Sequence, residues 1–429
     1  MKQILNKTKG PILFVFILMM GFGFFIYDKV SAFESEGEQS NFYSQQTSAV
    51  DKNALIKPQG TSTSTRPPNG DDRVIIQFID NYTDSILQWD IVLEHKGWII
   101  KNLGLINGLT AVIPKDQLAI LIKTGVVKKV MADIDVQSAG IIQTTGPSSS
   151  QSVPWGHERI QAPESWSTGS GQGVKIAILD TGIDHNHSDL KANLTHRYNA
   201  VNTIGGVEDF LGHGTHIAGV IAAVNNYIGV VGTAPRAEIN MVKVLYDDGI
   251  GFLSDLIEGI AWCIKNDMDI INLSLGCNED HELLHYAIKK AHQAGITIVA
   301  AAGNVPGKVL YPARYPETIA VSAVNQSDQF APFSGSGTSI DVAAPGVDIA
   351  STFTGNSYAV MSGTSISTAY VTGVVALILS TPAVYDLNGN GRWDPLEVKL
   401  KLQVSTEGLV GLTPEQQGLG LVRADLAVR

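Results

Sequence analysis

Cysteine is almost absent: the chain has 429 residues and two cysteines. A disulfide framework is therefore excluded, and stability must come from a buried core, which a chain of this length can build. Charge is also sparse, at 17% of residues, and its sign is unbalanced, with a formal net charge of −11. That balance argues against nucleic acid or an anionic membrane as the main partner. Long apolar runs are missing too, apart from one between Pro11 and Tyr27. What is abundant is glycine, 43 residues. Many glycines with few charges suit a tightly turned α/β protein more than a coiled coil or a disordered chain.

The single apolar run follows Lys2, Lys7 and Lys9 and precedes the small residues Val30-Ser-Ala32. Residues 1–32 therefore read as a cleaved signal peptide of a secreted, extracellular protein. The alternative is a membrane anchor, for which the run is slightly short and interrupted by glycine. Residues 33–72 are rich in Ser, Gln, Thr, Glu, Asn and Pro and read as a disordered linker. Residues 73–140 carry strand patterns at Arg73–Ile79, Gly108–Pro114 and Val126–Met131, with helical patterns at Ser85–Lys96 and Lys115–Thr124. They predict a small α/β unit. Gly140 to Ser152 then reads as an exposed connector.

From Lys175 onward short apolar runs alternate with amphipathic segments. Strands are predicted at Lys175–Leu179, Glu238–Leu245, Asp269–Leu275, Thr297–Ala302 and Thr318–Val324. None alternates polar with apolar residues, as expected of strands buried on both faces. Between them, Leu256, Ile257, Ile260, Ala261 and Ile264 make one helical stripe. The pattern predicts a mostly parallel sheet covered by helices, with ligands bound beyond the carboxyl ends of its strands.

Three stretches carry the chemistry: Ile178-Leu-Asp-Thr-Gly-Ile-Asp184, Gly212-His-Gly-Thr-His-Ile-Ala-Gly219 and Met361-Ser-Gly-Thr-Ser-Ile-Ser-Thr-Ala-Tyr-Val-Thr-Gly373. The last leads into an apolar helix, which sets Ser365 at a helix N-terminus, where developing negative charge is favoured. Such a serine is either a cap or a nucleophile. Aspartate, histidine and serine in that chain order match the order found in subtilisin, and residues 151–429 resemble the subtilisin-like serine proteases. The resemblance implies the three-layer subtilisin-like α/β fold. It implies a serine endopeptidase acting on protein and peptide substrates, with Ser365 as nucleophile, His213 as general base and acid, and Asp180 as the carboxylate that orients it. Asn304, in Ala300-Ala-Ala-Gly-Asn304, matches the family's oxyanion donor.

By the same resemblance residues 73–149 are an inhibitory pro-region of ferredoxin-like α/β fold, chaperone and inhibitor to a catalytic domain at 150–429. Placement directly before the protease favours this over an unrelated small domain. Gln151-Ser-Val-Pro-Trp-Gly156 resembles a mature amino terminus, so self-cleavage is expected near Ser149–Ser150. Substrate should pair as an added strand with Ser274, Leu275 and Gly276 and with Gly249 and Gly251; Ala302 and Gly303 belong to the wall of the pocket before the scissile bond. Leu310 falls at the base of that pocket, where the family often has a small residue. This predicts a restricted pocket for medium-sized apolar residues. The stretch after Ser365 departs from the family in Ile366, Ala369 and Tyr370, none of them a triad member.

Calcium is expected in a structural role, with no cofactor for catalysis. Residues 386–397 fit the EF-hand loop, with Asp386, Asn388, Asn390, the Arg392 carbonyl, Asp394 and Glu397 as ligands and Gly391 at the turn. Pro382 makes a regular entering helix improbable, and an Asn-Gly turn before the Pro395 helix is the alternative. A second site follows from the resemblance: side chains of Gln151, Asp189 and Asn226 with carbonyls of Val224, Ile228 and Val230. Gln151 is expected to reach it only after the pro-region is cut. His216 is read as a packed structural histidine, Cys263 and Cys277 as free thiols a strand length apart, and the protein as a monomer. Two other functions stay open. One is a catalytically dead peptide-binding module on this fold, and the other is a processing protease of narrow specificity.

Overall fold

The computed structural model describes residues 72–138, 140–145 and 150–429, with the backbone alone for 141–145. The expected signal peptide, almost all of the linker and the bond Ser149–Ser150 lie outside the described residues.

The first strands are β1 (Asp72–Phe78), β2 (Trp98–Leu103), β3 (Gly108–Ile113) and β4 (Val127–Ala132), with helices α1 (Ser85–Glu94) and α2 (Lys115–Ile122). They form an antiparallel sheet in the order β2-β3-β1-β4. The β-α-β-β-α-β sequence is that of a ferredoxin-like unit. Sequence patterning missed β2, because Trp98–Leu103 has an exposed first residue and only one buried one. The unit has its own core, with Val74, Ile76, Phe78, Leu109 and Leu121 at its centre. Two short strands follow, β5 (Asp135–Ser138) and β6 (Ile141–Thr145).

The remaining strands are β7 (Lys175–Asp180), β8 (Leu194–Asn199), β9 (Glu238–Lys243), β10 (Ile250–Phe252), β11 (Ile270–Leu273), β12 (Leu275–Gly276), β13 (Thr297–Ala301), β14 (Thr318–Val324), β15 (Val342–Pro345), β16 (Ile349–Phe353), β17 (Ser357–Ser362), β18 (Thr406–Glu407) and β19 (Leu421–Val422). Nine of them make one sheet, β18-β19-β15-β14-β13-β11-β7-β9-β8, parallel except for the β18–β19 pair. Its two faces are covered differently. Ile176, Ile178 and Ile270 pack with α3 (His213–Ala222) and α6 (Thr364–Leu379). Ala177, Leu179 and Ile271 pack with α4 (Leu253–Lys265) and α5 (Glu282–Gln293). Neighbouring residues of one strand thus point into different cores, which is why no alternation is visible in the sequence. Helix α6 is buried from Thr364 to Ile378; truncating one of its large apolar side chains to alanine costs about 2–5 kcal/mol. Helix α7 (Pro395–Val404) closes the chain's last turn of core with Val398 and Leu402.

The small unit sits on the helical face through charge at helix N-termini. Asp133 accepts from Ser254 N (2.8 Å) and Ser254 Oγ (2.7 Å) at the start of α4, and pairs with Arg73 at 2.6 Å. Lys101 pairs with Asp255 in the first turn of the same helix. Among the described residues no helix is long and apolar enough to cross a membrane. Both cysteines are free and buried, as expected. Burial pushes the Cys277 thiol up to about 11 and raises that of Cys263 as well, which disfavours the thiolate at both.

Candidate active site

Asp180 closes β7 at the carboxyl rim of the sheet, and His213 opens α3 beside it. Gly212, just before the helix, has φ +86°, and a β-carbon there would lie 2.1 Å from the Phe353 ring. Only glycine fits both demands. His213 Nδ1 lies 2.7 Å from Asp180 Oδ1, which also accepts from Thr181 N at 2.7 Å. Both side chains are buried. His213 Nε2 is buried with no hydrogen-bond partner among the described residues, and so is Asp180 Oδ2. With Nδ1–H donated to the carboxylate, Nε2 is the free basic nitrogen.

A second carboxylate, missed from the sequence, supports this pair. Asp209 is buried and accepts from Thr181 Oγ1 (2.8 Å), Gly212 N (2.8 Å), Thr215 N (2.8 Å) and Thr215 Oγ1 (2.7 Å). It ties the loop after Asp180 to the first turn of α3. Burial disfavours the charged imidazole of His213, but Asp180, by charge and hydrogen bond, and Asp209, by charge, outweigh it and hold the pKa above the usual histidine value. His216, one turn on, behaves oppositely. Burial and the neighbouring His213 pull it down to about 3, and its Nε2 faces the carbonyls of Ile349 and Ala359. It is the structural histidine the sequence suggested.

Ser365 lies in the first turn of α6, and α6 packs against α3. Its hydroxyl donates to the Ser274 carbonyl at 2.9 Å, while Ser274 Oγ donates to the Ser365 carbonyl at 3.0 Å. The serine is thus turned toward the end of β11 and not toward the imidazole. Asn304 Oδ1 accepts from Thr364 N and Thr364 Oγ1, both at 3.0 Å. Its oxygen is engaged, so its Nδ2 is the group left to donate. The unusual Ala369 and Tyr370 leave the helix unbroken to Leu379. Tyr370 is fully buried, with its hydroxyl 3.2 Å from His157 Nδ1.

The two expected substrate segments face each other across a third strand. β5 lies between β10 and β12, antiparallel to both. Gln137 sits opposite Ile250 and Gly276, Val136 opposite Gly251, and Ser138 N donates to the Gly249 carbonyl at 2.9 Å. Ala302 and Gly303 follow β13, and Leu310 bridges them to Gly276. Leu310 N donates to the Ala302 carbonyl at 2.8 Å.

Oxygen atoms gather at one of the two predicted calcium loops. Asp189 accepts from Asn226 Nδ2 (3.0 Å), Val230 N (3.0 Å) and the Tyr358 hydroxyl (2.8 Å). Asn226 Oδ1 accepts from Ile228 N at 3.2 Å. Gln151 Nε2 reaches the carbonyls of Val224 (3.2 Å) and Val230 (3.3 Å). The carboxylate and carbonyls suit a hard cation, and Gln151 and Asn226, whose amide nitrogens face them here, would complete the set by presenting their oxygens instead. Gln151 reaches the loop in the same structure in which residues 135–138 lie between β10 and β12. In residues 386–397, Gly389 and Gly391 take φ +73° and +75°. Asp386 accepts from Asn390 N and Gly391 N, each at 2.9 Å, and Asn390 Oδ1 from Arg392 N at 2.7 Å. Glu397 folds back on Leu387 N (2.6 Å) and Asp394 N (2.9 Å), capping α7. No entering helix precedes the loop. Among the described residues no three His, Cys, Asp or Glu side chains group as a metal site. The first loop offers one carboxylate, and in the second Glu397 is turned to the backbone.

A histidine oriented by a buried carboxylate, at the strand ends of a parallel sheet that also carries a serine at a helix start, is chemistry of the serine hydrolase class. Comparison with known proteins narrows this. Residues 171–417, more than half the chain, match the subtilase family, Peptidase_S8. Subtilisin Savinase of Lederbergia lenta is 42% identical over 281 residues, 65% of this chain and 100% of that protein. M-protease of Shouchella clausii (strain KSM-K16) is 42% identical over 281 residues, 65% of this chain and 70% of that one. Subtilisin E of Bacillus subtilis (strain 168) is 41% identical over 297 residues, 68% and 75% of the two chains. The chain belongs to the subtilase family and is a serine endopeptidase.

Proposed function

We propose that the protein is a secreted endopeptidase that cuts proteins through an acyl-enzyme on Ser365. His213 takes the serine proton at Nε2 and returns it to the leaving amine, and Asp180 holds the imidazole in the required tautomer. The observation that carries this reading is the buried 2.7 Å contact between His213 Nδ1 and Asp180 Oδ1, with Nε2 left unpaired. For reaction the serine hydroxyl leaves the Ser274 carbonyl and turns to His213. The carbonyl it vacates is then open to the N–H of a bound peptide. Asn304 Nδ2 and the Ser365 N–H are the donors for the tetrahedral oxyanion. Ser274–Gly276 and Gly249–Gly251 hold the peptide backbone as an added strand.

Residues 72–138 act in this reading as the inhibitory pro-region, with β5 filling the cleft as a substrate strand would. Calcium bound by Gln151, Asp189, Asn226 and the carbonyls of Val224, Ile228 and Val230 stabilises the catalytic domain. Loop 386–397 takes a second ion if Glu397 turns from its backbone partners to the loop. Nothing in the catalytic sequence of proton transfers calls on the ion. The protein works as a monomer.

One observation favours a second reading, that of an inactive peptide-binding module: the Ser365 hydroxyl points away from the base. A fluorophosphonate probe separates the two. The endopeptidase reading expects stoichiometric labelling at Ser365, lost in Ser365→Ala; absence of labelling in folded, processed protein would leave the binding module.

A further inference from the structure

An ammonium group is buried beside the Asp180–His213 pair. β9 ends on Lys243, which in the parallel register sits opposite Asp180 at the end of β7. Its side chain is 9% exposed. Taking an ammonium this far out of water is costly unless it is paired and hydrogen-bonded. Lys243 Nζ donates to the Thr181 carbonyl and pairs with Asp247 Oδ1 at 3.0 Å.

The first of these partners adjoins the base. Thr181 N donates to Asp180 Oδ1 at 2.7 Å, the same oxygen that His213 Nδ1 meets. Thr181 Oγ1 donates to Asp209 Oδ1 at 2.8 Å and accepts from Gly214 N at 3.0 Å, in the first turn of α3. All three polar groups of Thr181 are thus engaged, and its carbonyl is the one held by a cation. The second partner adjoins the proposed substrate edge. Asp247 lies in the turn between β9 and β10. There Tyr246 N donates to the Ile250 carbonyl (2.7 Å), Gly249 N to the Tyr246 carbonyl (3.0 Å) and Ile250 N to Asp248 Oδ1 (3.0 Å). The turn presents residues Gly249–Gly251, along which β5 is paired.

We propose that Lys243 is a positioning residue that ties the Gly249–Gly251 edge, through Asp247 and Thr181, to the Asp180–His213 pair. The proposal rests on the endopeptidase reading, with that edge as a substrate site. A peptide strand paired on the edge steadies the turn at 246–249. The turn keeps Asp247 on the ammonium, and the ammonium keeps the Thr181 peptide in place, whose N–H fixes Asp180 Oδ1. Binding energy gathered along the edge is then realised as orientation of the base, so it shows in kcat more than in KM. A substrate too short to reach the edge gains none of it.

The test uses the full chain after maturation and two substrates. One is a peptide amide with four residues before its scissile bond, which reaches the edge; the other is a chromogenic amide with a single residue there. Wild-type protein should turn over the long substrate with the higher kcat. In Lys243→Met, which keeps the length of the side chain and removes its charge, the ratio of the two kcat values should fall about tenfold, with KM for the long peptide nearly unchanged. Asp247→Ala should do the same; its side chain is 26% exposed, so it gives the answer if the buried substitution does not fold. The double variant should lose no more than the worse single one, because the groups act in series. A raised KM with the kcat ratio intact would make both residues supports of the edge alone and overturn the proposal. An equal fall in kcat for both substrates, the mark of a general loosening, overturns it too, and so do additive losses. Absence of fluorophosphonate labelling at Ser365 in the wild type counts against the endopeptidase reading itself, whereas labelling with an unchanged kcat ratio in the variants sinks this proposal alone.

Discussion

Leu310 lies directly over Gly303: a β-carbon built on the glycine would come within 2.4 Å of Leu310 Cγ. Leu310 also touches the opposite wall, 3.1 Å from where a β-carbon on Gly276 would be. The side chain thus fills space between the two segments proposed as walls of the pocket for the residue before the scissile bond. Wild-type protein should favour small to medium apolar residues there, which cleavage profiling of a peptide library would measure. Leu310→Gly should raise kcat/KM for large aromatics relative to alanine by about 10–200-fold, the range that a few methylenes of apolar space produce. Strong aromatic preference in the unmodified protein would falsify the filled pocket.

Asn304 offers a sharper number. Its oxygen is fixed by Thr364, so its amide nitrogen donates with little freedom to reorient. Asn304→Ala should lower kcat by about 10²–10³, the loss known for the corresponding asparagine of subtilisin, with KM nearly unchanged. A fall in KM-dependent binding with kcat intact would make Asn304 a structural residue.

The pH dependence follows from the sign of the shift on His213. The neutral imidazole is the base, and Asp180 and Asp209 hold its pKa above the usual value against burial. Activity is therefore lost as pH falls through that raised value, and the acid limb of kcat/KM should lie above about 6.5, the free histidine pKa. His216, the other charged-group neighbour, stays neutral through this range. Asp209→Asn removes one of the two supporting charges and should move the limb to lower pH. A limb that does not move would assign the whole lift to Asp180.

How much of this was legible beforehand differs by residue. The contact between Asp180 and His213, and the place of Ser365 at a helix start, were legible because each residue sits in a continuous motif. The sheet was legible because buried parallel strands read as unbroken apolar runs. Asp209 was not: its role depends on four donor groups, one from the stretch after Asp180 and three from Gly212–Thr215, and no motif marks the aspartate itself. β6 was read as connector, and β5 went without a strand assignment inside the small α/β unit, because short strands that borrow their partners from a distant cleft carry no periodicity of their own.

Because Gln151 reaches Val224 and Val230 while residues 135–138 lie between β10 and β12, calcium should protect the precursor as well as the processed enzyme. The precursor can be held uncut as Ser365→Ala and compared with mature wild type. An ion bound only by the folded state adds RT ln(1 + [L]/Kd), about 2.7 kcal/mol at a hundredfold excess over Kd. Chelation should therefore shorten the half-life at elevated temperature in both forms, and by similar factors. Asp189→Asn, which removes the one carboxylate that the Gln151 loop offers to a cation, should abolish most of that difference while leaving the 386–397 loop intact. If the chelator destabilised only the processed form, the ion would be bound after cleavage, and the seating of Gln151 would not suffice to build its site.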